Sequence, residues 1–361
     1  MTTRYVGVGG NDGNSGLSWA LRKLTLTGVE DTPVEAGDTV YVGPGTYREK
    51  LVCDVDGESG AIISYIGDYD GSHTDGVGGL VRITASDNDL ASARNICVDM
   101  NGKDYRTFQG FQFDAGASIY SAIWMNANVD HLTISGCYFV SNSAGILAYG
   151  TTLTTNMLVH NCVFINTTGP IKDNTVQDNS GNIIDNCLFF ASGVAISTKS
   201  GGLIVRNCTF MSAYQCVTVA ASLNSGQVVT VNNCIMLATN HYALVASTLG
   251  NLVEDYNICQ SRSNVAVGDH SNFNLVHFDS RWFFEMIGGG SMLTPFDLAS
   301  YSQLIDVAGT SPTTADMRGT TVQGTQREWG ALEYDSTLDI EAGTGTAGGA
   351  VKIMPLGRVG L

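Results

Sequence analysis

A short phrase returns along the middle of this chain at nearly fixed distance. It reads Ile134-Ser135-Gly136-Cys137-Tyr138-Phe139, Val159-His160-Asn161-Cys162-Val163-Phe164, Ile184-Asp185-Asn186-Cys187-Leu188-Phe189, Val205-Arg206-Asn207-Cys208-Thr209-Phe210 and Val231-Asn232-Asn233-Cys234-Ile235-Met236. Its cysteines stand 25, 25, 21 and 26 positions apart. Looser copies flank it, Phe108-Gln109-Gly110-Phe111-Gln112-Phe113 before and Val253-Glu254-Asp255-Tyr256-Asn257-Ile258 after. A repeat of about 20–50 residues means stacked units, each too small to bury its own apolar side.

The phrase also says what the unit is. Apolar and polar residues alternate on both sides of the central Asn or Gly, which is the period of a strand. Asn and Gly accept positive φ at low cost. Each phrase is therefore two short strands joined by a sharp bend at Gly136, Asn161, Asn186, Asn207 or Asn233. Another apolar run precedes most copies: Ile123-Trp124-Met125, Gly145-Ile146-Leu147, Ala195-Ile196-Ser197, Val217-Thr218-Val219 and Ala243-Leu244-Val245. Three strands per repeat, with no helical pattern between them, predict a parallel coil. Equivalent residues then sit about 4.8 Å apart and form ladders.

Two end segments add to the repeat: Gly37-Asp38-Thr39-Val40-Tyr41-Val42-Gly43-Pro44-Gly45-Thr46-Tyr47-Arg48-Glu49 and Gly330-Ala331-Leu332-Glu333-Tyr334. With them, residues 4–334 resemble the pectate-lyase-like right-handed parallel β-helix superfamily, of the kind found in phage spike and decoration proteins. The resemblance implies an all-β, single-stranded solenoid of about ten rungs with a short N-terminal helical cap and an irregular C-terminal cap and tail. The expected divisions are 1–37 for the N-terminal strand and cap, 38–285 for the coil, 286–334 for the closing cap and 335–361 for an extended tail. Within the first, 18–26 reads as a short amphipathic helix with Trp19, Leu21 and Leu24 on its apolar side. The aromatic stretch 273–284 is expected to cover the far end.

Composition limits the partners. Formal net charge is −16, which argues against nucleic acid. No stretch approaches the roughly 20 apolar residues of a membrane span. The first residues, Met1-Thr2-Thr3-Arg4-Tyr5-Val6, lack the pattern of a secretory leader, so synthesis and folding in a cytoplasm are expected. The cysteines fit that reading as buried, reduced thiols, since no Cys-x-x-Cys pair is present.

Candidate chemistry is sparse. Outward positions of the strand before each phrase read Trp124, Leu147, Lys172, Ser197, Thr218 and Val245, with no acid pair. The second residue of each phrase gives another outward column: Gln109, Ser135, His160, Asp185, Arg206, Asn232 and Glu254. In it His160, Asp185 and Arg206 are the candidate catalytic set, as proton shuttle, acid or base, and substrate clamp; the alternative is a ladder of opposite charges. Asp68, Asp70 and Asp75, in a Gly-containing loop, are candidate calcium ligands, with solvated turns as the alternative. No other cofactor is expected. In the tail, Val351, Ile353, Met354, Leu356, Val359 and Leu361 follow a Gly-rich linker and are expected to anchor the chain in an assembly.

These readings point first to a non-enzymatic structural or recognition protein of a virus particle, a phage decoration, head, tail-spike or fibre component. Its partners would be other virion proteins or copies of itself, with polysaccharide as a further ligand. The alternative is a polysaccharide lyase or glycoside hydrolase, such as a depolymerising tailspike, or a secreted or cell-surface protein.

Overall fold

The computed structural model describes residues 1–273 apart from 33, 86–93, 115–120, 141–142, 151–152, 176–179, 213, 221–222, 224–226, 239–240, 260–261, 264 and 266–271; for Asn166, Asn272 and Phe273 it describes the backbone alone. The expected closing cap at 286–334, the tail at 335–361 and nearly all of the aromatic stretch 273–284 lie outside the described residues.

The chain winds through three parallel sheets of ten, nine and ten described strands. One turn shows the pattern. Leu132–Ser135 lies in the first sheet, Tyr138–Val140 in the second and Ala144–Ala148 in the third. The next turn starts at Leu158–His160, paired with Leu132–Ser135 in parallel. A small extra ladder joins Val129–Asp130 to Thr154–Thr155. The bends fall where the phrases put them, with φ between 51° and 57° at Gly136, Asn161, Asn186, Asn207 and Asn233. A left-handed residue there turns the chain from the first sheet to the second in one step.

The interior is built of ladders. Phe113, Phe139, Phe164, Phe189 and Phe210 stack with successive ring centroids 5.2, 4.5, 4.8 and 4.6 Å apart. Each such contact adds about 0.5–1.5 kcal/mol beyond the area it buries. Cys137, Cys162, Cys187, Cys208 and Cys234 form a second ladder, all buried and none in a disulfide. Burial pushes the thiols of Cys137, Cys187 and Cys234 well up, and those of Cys53 and Cys97 up to about 12. At the top of the ladder Asn257 takes the cysteine's place, and its Oδ1 accepts from the Cys234 backbone N–H at 2.9 Å.

Two sequence expectations are corrected. First, 18–26 is not one helix. Ser18 caps a single 3₁₀ turn, Trp19–Leu21, and the helix is Leu26–Glu30, started by Thr25, whose side chain accepts from Gly28 N. The buried apolar side chains are Leu26 and Val29; Leu21 and Leu24 are exposed. The half-buried Glu49 carboxylate accepts from Leu26 N, Thr27 N and Thr27 Oγ1, so the helix starts where an acid meets its free N–H groups. The last described strands, Arg262–Ser263 and Asn272–Phe273, extend the third and second sheets. The second concerns Glu254, which is not in the outward column. Asn232 pairs with Asp255, and Glu254 falls beside inward Val231, where its Oε2 accepts from Asn257 Nδ2 at 2.9 Å. The positive φ in this copy sits at Tyr256 (53°), one place later than the sequence match implies.

Candidate functional site

The column on the first sheet is in register as far as Asn232: Ser135, His160, Asp185, Arg206 and Asn232 stand rung above rung. Asp185 is only 3% exposed. Its Oδ2 meets Arg206 Nη2 at 3.2 Å, and its Oδ1 accepts from Asn207 Nδ2 at 2.6 Å. Asn207 is itself a bend residue, so Asp185 serves the turn as well as the charge ladder. His160 neighbours Asp185 on the ladder, yet no ion pair joins them among the described residues. A carboxylate covered in this way, with both oxygens engaged, is poorly placed to exchange protons with a polymer in solvent.

Asp68, Asp70 and Asp75 share one loop but not one point. Asp68 is buried and accepts from Ser72 Oγ, His73 N and Thr74 Oγ1. Asp70 accepts from Ser72 N and Asp75 from Val77 N, each two residues on, as turn-forming Asp residues do. Among the described residues no group of three His, Cys, Asp or Glu side chains is arranged to hold a metal ion. Val351, Ile353, Met354, Leu356, Val359 and Leu361 lie outside the described residues.

The outer face of the third sheet offers a different chemistry. Its register is the one the spacing predicts, with Trp124, Leu147, Lys172, Ser197, Thr218 and Val245 in one column. Asp99 extends the column below Trp124 and is held by Lys50 Nζ at 2.8 Å. Trp124 stacks on Tyr149, with ring centroids 5.6 Å apart and planes 23° from parallel. Tyr149 is 56% exposed. Two rungs above Trp124, Lys172 folds over Gly169, where an added Cβ would stand 1.9 Å from the Lys172 Cε. Partial burial lowers the Lys172 amine below its ordinary value.

A second aromatic group sits on higher rungs, where the chain enters the third sheet. Tyr214 packs on His241 at 4.5 Å, and Tyr242 meets the same imidazole edge-on at 5.5 Å. His241 Nδ1 lies 3.0 Å from Gln215 Nε2. Tyr214 and Tyr242 are exposed. Tyr41–His73 and Tyr105–His131 are further stacked pairs, at 4.1 and 4.4 Å. Each of these three imidazoles packs on a tyrosine ring, and His131 Nδ1 also meets Asp130 Oδ2 at 2.8 Å. Behind Lys172 a cavity is lined by inward aliphatics, among them Ile146, Ile171 and Ile184, and by the polar Thr154, Asp173, Asn182 and Thr198.

A family profile described as a right handed beta helix region matches residues 71–235. No curated protein matches the sequence. Among solved structures the chain is similar to the pectate lyase Pel9A, at 14% identity and a TM-score of 0.52, over 93% of this chain and 97% of that one. It is also similar to a rhamnogalacturonan lyase, at 12% identity and a TM-score of 0.51, over 80% of this chain and 91% of that one. At such identities the likeness is one of fold.

Proposed function

The chain folds as a pectate-lyase-like right-handed parallel β-helix, and from that premise we propose that it recognises a polysaccharide on the outer face of its third sheet. The observation that carries this reading is the stack of the half-buried Trp124 ring on the exposed Tyr149 ring. Flat aromatic rings with one open face suit the C–H face of a sugar ring, and a neighbouring cation suits a carboxylate on an acidic one. Lys172 supplies that cation, while Ser197 and Thr218 supply hydroxyls. Across the five rungs from Trp124 to Thr218 the face runs about 20 Å, room for a few sugar units.

Recognition without cleavage is the form we favour, because no acid pair stands on this face among the described residues. The carboxylate of Asp99 is committed to Lys50, and Asp185 is covered on another sheet. The setting we infer is a virus particle assembled in a host cytoplasm, where a rigid, acidic coil displays the face as a decoration or spike component. The second reading is a polysaccharide lyase or glycoside hydrolase. It is favoured by the fold shared with a pectate lyase and a rhamnogalacturonan lyase over most of both chains.

One experiment separates them. The purified protein is passed over immobilised acidic and neutral plant and bacterial polysaccharides, and the same polymers are assayed for chain shortening with and without calcium. The expected result is retention on at least one polymer, weakened about tenfold or more in Trp124→Ala and Tyr149→Ala, as loss of one stacking contact implies, with no shortening. Catalytic shortening would establish the enzyme reading. Retention unchanged in both variants would remove the third-sheet face from consideration.

A further inference from the structure

The two aromatic groups of the third sheet are offset from each other along and across its outer face. Trp124 and Lys172 stand in the column that ends at Thr218 and Val245. Three residues earlier in each strand runs a second column, with Gly169, Val194, Gln215 and Tyr242 on successive rungs. Tyr242 is 46% exposed, and His241 joins it to Tyr214, which is 44% exposed. The Gln215 side chain, 7% exposed, holds this group to the sheet. Its Nε2 lies 3.0 Å from His241 Nδ1, and its Oε1 accepts from Thr218 Oγ1 at 2.7 Å. A buried amide thus ties the upper rings to the column of Trp124. Lys172 links the columns lower down. Gly169 has no side chain, and the point where its Cβ would stand is 1.9 Å from Lys172 Cε and 2.9 Å from Lys172 Nζ. The cation is thereby carried out of the column of Trp124 and into the column of Tyr242.

The geometry points to one linear acidic oligosaccharide lying obliquely across both columns, with Tyr242 and Tyr214 as its far subsite. This rests on the polysaccharide reading and gives the ligand a direction and a length. One end unit stacks on Trp124 and Tyr149, a middle unit sets its carboxylate at Lys172, and the other end lies on Tyr242 and Tyr214. From Trp124 to Tyr242 the path rises five rungs and crosses three residues. That is about 24 Å by about 10 Å, or roughly 26 Å in all, which about five sugar units cover. A chain parallel to the coil axis would meet no further ring in its column, since Ser197, Thr218 and Val245 follow Lys172 there. The oblique chain meets rings at both ends and the cation between them. Two stacking contacts on one ligand reinforce each other, because the second forms without a second loss of translational freedom.

Length dependence tests it. The polymer retained by the wild-type protein is cut chemically into fragments of about two to ten sugar units, and each size class is titrated by calorimetry. Affinity should climb with length up to about five units and then level off. Tyr214→Ala/Tyr242→Ala should bind fragments of about six or more units about tenfold or more weakly than wild type, and fragments of about three units equally well. Trp124→Ala should weaken both classes. The single variants Tyr214→Ala and Tyr242→Ala carry the test if the double variant fails to fold, as judged by its denaturant midpoint. Long fragments bound equally by wild type and by the folded tyrosine variants overturn the far subsite, while their loss in Trp124→Ala leaves the polysaccharide reading standing. Equal weakening of short and long fragments in the tyrosine variants overturns the oblique path. Retention of no polymer by the wild-type protein overturns both readings.

Discussion

Arg106 closes on Glu30 across the floor of the coil, with Nη1 2.5 Å from Oε1, Nη2 3.2 Å from Oε2, and neither side chain exposed beyond 1%. Tyr65 donates to the same Oε1 at 2.5 Å, and Asp54 N donates to Oε2 at 3.1 Å. Glu30 ends the cap helix Leu26–Glu30, and Arg106 opens the strand Arg106–Gln109 of the first sheet. The pair therefore fastens the cap to the solenoid at the point where apolar rungs would otherwise meet water.

Glu30→Gln should lower unfolding free energy by about 3–5 kcal/mol, because it leaves a guanidinium buried without its counter-charge. Replacing both partners, Glu30→Met with Arg106→Leu, should cost much less, since the desolvation of both charges disappears together. Denaturant midpoints of the three proteins decide this. A double variant as weak as the single one would mean that the pair's geometry, rather than its charge balance, holds the cap.

A second tie gives a pH signature. Burial alone would raise the Asp38 carboxyl, but the Arg4 guanidinium at 3.0 Å and the N–H groups of Glu35 and Thr2 outweigh it and hold it below the usual range. An unfolded Asp titrates near 3.9. The contribution is thus fully present above about pH 4 and is lost as pH falls through the lower native value. Asp38→Asn should be about 1–3 kcal/mol less stable than wild type at neutral pH. The gap should narrow as pH is lowered from 4 toward 2.5. A gap that stays constant over that window would assign the effect to packing.

The thiol ladder predicts silence. With Cys137, Cys162, Cys187, Cys208 and Cys234 at 0% exposure, a thiol reagent should reach them only through unfolding. Labelling should be slow in buffer and complete in denaturant, with rates that follow global stability. Rapid native labelling of most of the five would contradict a close-packed interior.

Much of this fold was legible because each turn restates it. The phrase carries its own bend, and the column from Trp124 to Val245 followed from strand alternation alone. The register failed where the repeat lost its cysteine. In Val253-Glu254-Asp255-Tyr256-Asn257 no Asn–Cys pair marks the bend, so Glu254 was read one place off its ladder. The tie of Arg106 to Glu30 was hidden for another reason: the residues stand 76 positions apart, and no local pattern links them. The aromatic face was half legible. Trp124 is on a strand, but Tyr149 follows the end of one, and only the winding of the coil brings the rings together.

The bends allow a finer test, because two of them share a backbone shape and differ in side-chain company. Asn161 and Asn207 have φ of 54° and 53°. Asn207 donates to Asp185 Oδ1 at 2.6 Å and lies within hydrogen-bond range of Asn233 Nδ2 at 3.4 Å. Asn161 Oδ1 is buried with no hydrogen-bond partner among the described residues. Glycine accepts this φ freely, so Asn→Gly isolates the side chain. Asn161→Gly should change stability by less than about 0.5 kcal/mol, while Asn207→Gly should lose about 1–3 kcal/mol through a charge-assisted hydrogen bond and the pairing left incomplete at Asp185. Valine at either place should cost a further 1–3 kcal/mol or so, because a β-branched residue resists positive φ. Equal losses for the two glycine variants, measured by denaturant unfolding, would mean that the amide ladder contributes nothing beyond the turn.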